Sequence, residues 1–365
     1  MKRQLLFENG TRFVGDAFGS DAECVAEVVH NTAMVGYQEL LTDPALMGTM
    51  LLMTYPLIGN CGLTDEDDES RAPHPSALIV REYNNSPTNY RYTKTLGDVM
   101  RDYGIPGLSG VDTRQITRML LREGQMKALL TGLEREPDEG LQILRDAQNP
   151  RRLVKKISCK RPWYHRTPNY RHNVVVLDLG VKRSVIQHLS RRGCNVTVIP
   201  FDTCATEATA LRADGILLPD GPGRADELPE VLSFVRASLG SVPMFGIGLG
   251  HQAIALANGA RVSRLTYPHR GGNHPVRETL TNRVEITIQN HMSAVDPDSI
   301  EGTGLSASHR SLLDGSVEGL ANSALHVMTA QFNPESVPGP RDSSDLFDRF
   351  VAAMERAGEE DEAHA

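Results

Sequence analysis

From His172 onward the chain sets short runs of consecutive apolar residues between segments of helical periodicity, and this alternation is the strongest constraint on its fold. Val174-Val175-Val176-Leu177 has no polar side to offer water, so it reads as a strand buried on both faces of a parallel sheet, and Asp178-Leu179-Gly180 breaks it. Val185, Ile186 and Leu189 then recur at helical spacing up to Gly193, and a strand follows at 196–199. A helix over 206–211, a strand at Gly215-Ile216-Leu217-Leu218, a helix over 228–239 and a strand at Pro243-Met244-Phe245-Gly246-Ile247 complete the series. The order βαβαβαβ predicts an α/β domain on an open, mostly parallel sheet flanked by helices on both faces. In such sheets ligands and chemistry sit at the carboxyl ends of the strands.

The preceding half reads differently, as a mixed α/β domain of short strands, loops and helices over 1–148. Residues 2–7 form a strand candidate, Asn9-Gly10 a hairpin-type turn, and 12–15 a return strand. Ile116, Met119 and Leu120 alternate with charged residues at helical spacing over 111–122, with Gly124 as a stop. Between the halves, 149–172 collects Arg151, Arg152, Lys155, Lys156, Lys160, Arg161, Arg166 and Arg171 with Pro150, Pro162 and Pro168. That composition fits a solvated interdomain linker or a docking surface for an acidic partner. The second domain is expected over 173–356, followed by an acidic tail at 357–365 around Glu359-Glu360-Asp361-Glu362, expected to be disordered. At about 150 residues per domain, 365 residues accommodate the two domains.

Composition excludes several classes. Hydrophobic residues make up 40% and charged residues 23%, ordinary for a globular chain. A net charge of -8 argues against nucleic acid as partner. The absence of an apolar run of roughly 18 residues argues against a membrane span, and the start, MKRQLLFENG, has no signal-peptide core, so a cytoplasmic location is expected. Cys24, Cys61, Cys159, Cys194 and Cys204 are scattered without CxxC spacing, which suggests reduced thiols and no metal site. The clustered carboxylates of 64–69, TDEDDE, read as a solvated loop, and His269, His274 and Trp163 acquire no partner from sequence.

Two strand ends carry the candidate chemistry. Leu218-Pro219-Asp220-Gly221-Pro222-Gly223 brings backbone close to whatever lies above it. Phe245-Gly246-Ile247-Gly248-Leu249-Gly250-His251-Gln252 runs from strand straight into a helix over 253–258, closed by Gly259. A dinucleotide fingerprint fits this poorly: the spacing is GxGxG, His251 stands where a third glycine belongs, and no acidic residue closes a following strand near 264–267. A nucleophile elbow, one residue held at a strained strand-to-helix turn between small neighbours, fits better.

Here the sequence resembles a known family. Gly246-Ile247-Gly248-Leu249-Gly250-His251-Gln252 is similar to the GICLGHQ elbow of class I (triad) glutamine amidotransferases, specifically the small subunit of carbamoyl-phosphate synthetase. The stretch from Asn31 through Gly36-Tyr37-Gln38-Glu39 to Asp43-Pro44 resembles that subunit's NTSMTGYQEILTDP, and Thr54-Tyr55-Pro56-Leu57-Ile58-Gly59-Asn60 its TYPHIGN. Asp112-Thr113-Arg114 is similar to its DTR segment, Gly271-Gly272-Asn273-His274-Pro275-Val276 to GGNHPV, Gln289-Asn290-His291 to QNHGFAV, and Pro334-Glu335-Ser336-Val337-Pro338-Gly339-Pro340 to HPEASPGP. The resemblance spans nearly the whole chain and implies a small-subunit N-terminal domain followed by a class I amidotransferase domain.

The chemistry the resemblance implies needs a thiolate to attack the glutamine amide, a histidine to activate it and protonate ammonia, and a carboxylate to orient the histidine. Residue by residue, the nucleophile's position is Gly248, the base's is Asn333, and Glu335 alone is retained. Glycine has no attacking side chain and asparagine no titratable nitrogen. His251 lies one helical step beyond the elbow, His291 belongs to another motif, and the nearest candidate thiol, Cys204, is expected to miss the near-attack distance of about 3–3.5 Å. The resemblance places a substrate-contacting serine at Ala45 and a glycine-aromatic pair at Met292-Ser293, both changed here. Gly221, Gly223, Leu249, Gln252 and Asn290 match the family's glutamine site, and the reading favoured for their retention is structural: turns, packing, and backbone satisfied near the elbow.

The leading expectation is a subunit that keeps the fold and lacks glutamine hydrolysis, as ammonia-dependent vertebrate members of the family also lack the nucleophile. It would pair with a large synthetase subunit carrying ATP, bicarbonate and Mg, with no cofactor in this chain, in pyrimidine or arginine biosynthesis. Two alternatives stay open: a non-catalytic sensor of glutamine or another amino acid, and an active glutamine-hydrolysing subunit through a rearranged site.

Overall fold

The computed structural model describes residues 1–364, with side chains as far as 359. The chain divides into two compact units, Met1–Pro150 and Arg151–Ala365.

The first unit is built from β1 (Lys2–Phe7), β2 (Arg12–Gly19), β3 (Cys24–Asn31), α1 (Tyr37–Leu41), β4 (Thr49–Met53), β5 (Leu57–Ile58), β6 (Ala77–Ile79), β7 (Glu82–Tyr83), α2 (Leu96–Asp102), β8 (Pro106–Ser109), α3 (Thr113–Glu123), β9 (Lys127–Gly132) and α4 (Pro137–Asp146). Seven strands close a barrel in the order β1-β2-β8-β6-β4-β3-β9, and β5 pairs with β7. Period-2 alternation sorts their side chains: Leu5, Phe7, Val28, Met50, Leu52, Ile79 and Leu130 form one cluster with Ile116 and Leu120 of α3, while Leu6 and Leu129 turn the other way against Leu144 of α4. The predicted hairpin is present, and its return strand runs on to Gly19.

The second unit begins inside the stretch expected to be linker. Leu153, Val154 and Ser158 are buried, α5 spans Val154–Ile157, and β10 (Trp163–His165) lies antiparallel on β12. The apolar residues set among the charges anchor this segment, and the linker expectation fails for residues 151–172. Arg152 pairs with Glu230 and Arg171 with Glu355, so part of the positive charge is neutralised within the unit.

The sheet then follows the predicted alternation: β11 (His172–Asp178), α6 (Arg183–Arg191), β12 (Cys194–Pro200), α7 (Ala205–Thr209), β13 (Gly215–Leu218), α8 (Pro229–Ser238), β14 (Met244–Ile247) and α9 (Leu249–Ala257). Val174 and Val176 pack with Val185 and Leu189 of α6 and Phe347 and Phe350 of the final helix; Val175 and Leu177 pack with Val231 and Phe234 of α8 and Ile254 of α9. Burial on both faces is what the unbroken apolar runs required. Beyond these elements the chain adds β15 (Val262–Glu278), β16 (Val284–Val295), β17 (Ser306–Ser311), β18 (Val317–Asn322), β19 (Val327–Ala330) and α10 (Leu346–His364). The ten strands run β10-β12-β11-β13-β14-β19-β18-β16-β15-β17, parallel from β12 to β19 and antiparallel from β19 through β17.

The acidic tail expected to be disordered instead continues the backbone of α10 to His364, while Ala365 and the side chains of 360–364 lie outside the described residues. Among the described residues no helix is long and apolar enough to cross a membrane.

Candidate functional site

Three adjacent parallel strands deliver the predicted residues to one edge of the sheet. β13 leads into Asp220, Gly221 and Gly223; β14 ends at Gly248 and Leu249; β19 leads into Asn333 and Glu335. The edges are tied by the Gly248 N–H, which donates to the Ala330 carbonyl at 2.8 Å. Asn333 in turn donates its backbone N–H to the Ile288 carbonyl of β16 at 3.0 Å.

Gly248 is the single residue between β14 and α9, with φ 53° and ψ -110°. A side-chain-bearing residue there stores about 1–3 kcal/mol of backbone strain, and glycine avoids it. This is the geometry of a nucleophile elbow, with no side chain at its apex. In such an elbow the N–H of the residue after the apex and a second N–H from a neighbouring loop form the pair that holds a developing oxyanion. The N–H groups at the corresponding places, of Leu249 and Gly221, share one acceptor: Asp220 Oδ1 lies 2.9 Å from the Leu249 nitrogen and 2.8 Å from that of Gly221. A Cβ on Gly248 would stand 2.2 Å from Asp220 Oδ1 and 2.3 Å from its Cγ. The vacant side-chain position is therefore what admits the carboxylate. Sequence reasoning named Asp220 only as part of a turn, and nothing in its spacing betrays a contact made across to the next strand.

Glu335, the retained acid, is 1% exposed and forms an ion pair with Lys182, itself 2% exposed, at the start of α6. The backbone carbonyl of Glu335 accepts from His188 Nε2 at 3.1 Å, and His188 Nδ1 accepts from Arg192 Nη1 at 3.1 Å, which fixes the neutral Nε2–H tautomer. Burial, then the Arg192 charge, hold the His188 pKa below its ordinary value. Asn333 is buried, and the carboxylate of Glu335 is engaged by Lys182.

The residues matched to the glutamine site divide. Gly221 is required by close approach, because a Cβ there would lie 2.0 Å from the Leu179 carbonyl. Gly223 is an exposed turn residue at φ 89° and Leu249 is core. The Gln252 amide donates to the Ser293 carbonyl at 3.2 Å and to Gln331 Oε1 at 3.0 Å, and Asn290 Oδ1 accepts from Arg270. Gln252 and Ser293 line a cavity of about 40 Å³ with Arg224, Asp226 and Arg264, room for a few waters. Met292 is half-buried on β16. Ala45 lies in the first unit, in a turn over Pro44–Leu46, donating its N–H to Asp43 at 2.9 Å.

Neither His251 nor Cys204 is presented at the elbow apex. His251 is fully buried, bonded through Nδ1 to Thr329 Oγ1 at 2.7 Å, and burial pushes its pKa down to about 3. Cys204 is exposed at the start of α7, after β12, three strands from β14 and so on the order of 14 Å along the sheet. Sequence reasoning missed Lys182, His188 and a cluster around His269 and Glu318, whose members lie far apart in the chain.

Comparison with known proteins accounts for the whole architecture. The carbamoyl-phosphate synthase small-chain domain matches residues 5–130, and the class-I glutamine amidotransferase domain matches residues 175–353. A carbamoyl phosphate synthase small chain of Bacillus caldolyticus is 43% identical over 354 residues, covering 97% of each chain. That of Listeria innocua is 43% identical over 100% of this chain and 99% of its own. A pyrimidine-specific small chain of Halalkalibacterium halodurans is 44% identical over 97% of this chain and 98% of its own. With both domains matched and relatives this similar from end to end, the chain belongs to the carbamoyl-phosphate synthase small-chain family.

Proposed function

We propose that this chain is a small subunit that does not hydrolyse glutamine and serves as structural and regulatory partner of a large carbamoyl-phosphate synthase subunit using free ammonia. The observation that carries the reading is Asp220. Its carboxylate takes the two N–H groups on which a tetrahedral oxyanion would rest, at an elbow whose apex is Gly248. A bound carboxylate repels developing negative charge where an amidotransferase must stabilise it. ATP, bicarbonate and Mg belong to the partner in this reading, and the exposed cations of 151–171 and the first unit supply docking surface.

Two measurements test it. The purified chain, given glutamine, releases no ammonia above a buffer blank. Reconstituted with a carbamoyl-phosphate synthase large chain, it yields carbamoyl phosphate from ammonium and none from glutamine. Glutamine hydrolysis by the chain alone, or glutamine-driven synthesis in the complex, overturns the reading. Calorimetric heat with millimolar glutamine would replace it with the sensor alternative; the engaged amides of Gln252 and Asn290 and the occupied N–H pair predict none.

A further inference from the structure

The antiparallel lobe holds a buried cluster that the elbow does not use. His269 on β15 and His291 on β16 are directly opposed across the ladder, their ring centroids 4.9 Å apart. Glu318 on β18 faces both, with Oε1 3.2 Å from His269 Nδ1 and 3.6 Å from His291 Nε2. Their exposures are 4%, 7% and 0%, and the three ligand-type atoms lie within 4.8 Å of one another.

Hydrogen-bond accounting shows that something positive belongs between them. His291 Nδ1 lies 2.9 Å from the Ser293 carbonyl, which only accepts, so Nδ1 carries the proton. Were His291 to carry that proton alone, its Nε2 lone pair would face a carboxylate oxygen, and Nε2 is buried without a hydrogen-bond partner. His269 repeats the pattern: Nε2 lies 2.9 Å from Asp314 Oδ2, a donor to an acceptor, which turns Nδ1 toward the same Glu318 oxygen. Glu318 is oriented in turn by Gln289 Nε2, which donates to Oε2 at 2.9 Å.

A proton on each inner nitrogen or one shared metal cation satisfies this arrangement: His269 Nδ1, 3.2 Å from Glu318 Oε1, is within hydrogen-bond reach, and His291 Nε2 is not. At 3.6 Å the His291–Glu318 separation is too long for a hydrogen bond. Ligand atoms at about 2.0–2.2 Å from a tetrahedral zinc ion stand roughly 3.3–3.6 Å apart; the two histidine-to-carboxylate separations are 3.2 and 3.6 Å, and all three atoms lie within 4.8 Å of one another. The outer hydrogen bonds of both rings, one to a carboxylate and one to a backbone carbonyl, are those that orient metal-bound imidazoles. We propose that His269, His291 and Glu318 form a binding site for one divalent cation of the zinc class, with the fourth position left to water, tying β15, β16 and β18 together.

Metal-stripped full-length protein is titrated with Co²⁺ near neutral pH and then with Zn²⁺. The expected result is one equivalent of Co²⁺ with the visible absorption of a tetrahedral site, displaced by Zn²⁺, a Zn²⁺-dependent rise in Tm, and uptake that weakens as pH falls because the metal competes with protons. His291→Asn and His269→Asn should each weaken uptake by about tenfold or more, while His165→Asn on β10 leaves it unchanged. Absence of a visible Co²⁺ band in the wild-type protein at about tenfold excess of metal, or uptake unaltered by both cluster variants, overturns the proposal and leaves the cluster held by protons. The wild-type spectrum decides the matter if a variant does not fold.

Discussion

Gly248 and Asp220 form one unit, and their coupling is measurable. Gly248→Cys should lower stability by at least about 1–3 kcal/mol through backbone strain, with a further penalty from the Asp220 carboxylate, whose Oδ1 stands 2.2 Å from the new Cβ. In an Asp220→Ala background that further penalty disappears, and urea titration of the four proteins should give a coupling of about 0.5–3 kcal/mol. Glu335 has a structural role of its own. It is the counter-ion of buried Lys182, so Glu335→Gln should cost about 3–5 kcal/mol by chemical denaturation whatever the chain's activity. His188 supplies a pH dependence. Its folded pKa lies below the ordinary value of 6.5, so as pH falls below that value the unfolded chain binds the proton first and stability is lost. His188→Gln should make that acid limb of a Tm-against-pH profile shallower.

Elements were legible where local pattern and burial agree. The Asp112-Thr113-Arg114 motif turns out to start α3: Asp112 accepts from the Gln115 N–H at 2.9 Å as its N-cap, and Gly124 ends it, as the spacing required. Asp112→Ala should cost about 1 kcal/mol and Asp112→Asn little, read from the denaturation midpoint. The strands 174–177 and 215–218 were readable because residues buried on both faces leave no alternative to an apolar run. The linker was misread because charge outnumbers the few residues, Leu153, Val154 and Trp163, that fasten it. The acidic loop 64–69 is likewise held by side chains distant in sequence, since the Gln38 amide spans Thr64 and Asp68 and Arg91 pairs with Glu66.

For the molecule as a whole, the parallel half of the sheet declared itself, and the closed barrel of the first unit did not. Barrel closure rests on β1 meeting β9, more than a hundred residues away, and two-residue alternation in short strands carries no record of which strand is its neighbour. The candidate site divides the same way. Its apex and the residue matched to the base were visible as departures from a motif, whereas the carboxylate filling the site belongs to a different strand end. In the assembled enzyme, Gly248→Cys with Asn333→His should still give no glutamine-dependent carbamoyl phosphate, and Asp220 must also be replaced before any appears.

The Asp220 contact works as a ratchet. With an empty apex, the carboxylate satisfies two backbone donors and the turn carries no strain; with a thiol introduced first, the same carboxylate becomes an obstacle. The order of substitution then matters: removing the carboxylate before introducing a cysteine opens a path of tolerable stability, and the opposite order passes through a destabilised intermediate. Any route to an attacking side chain at position 248 is thereby gated by the folding of one turn.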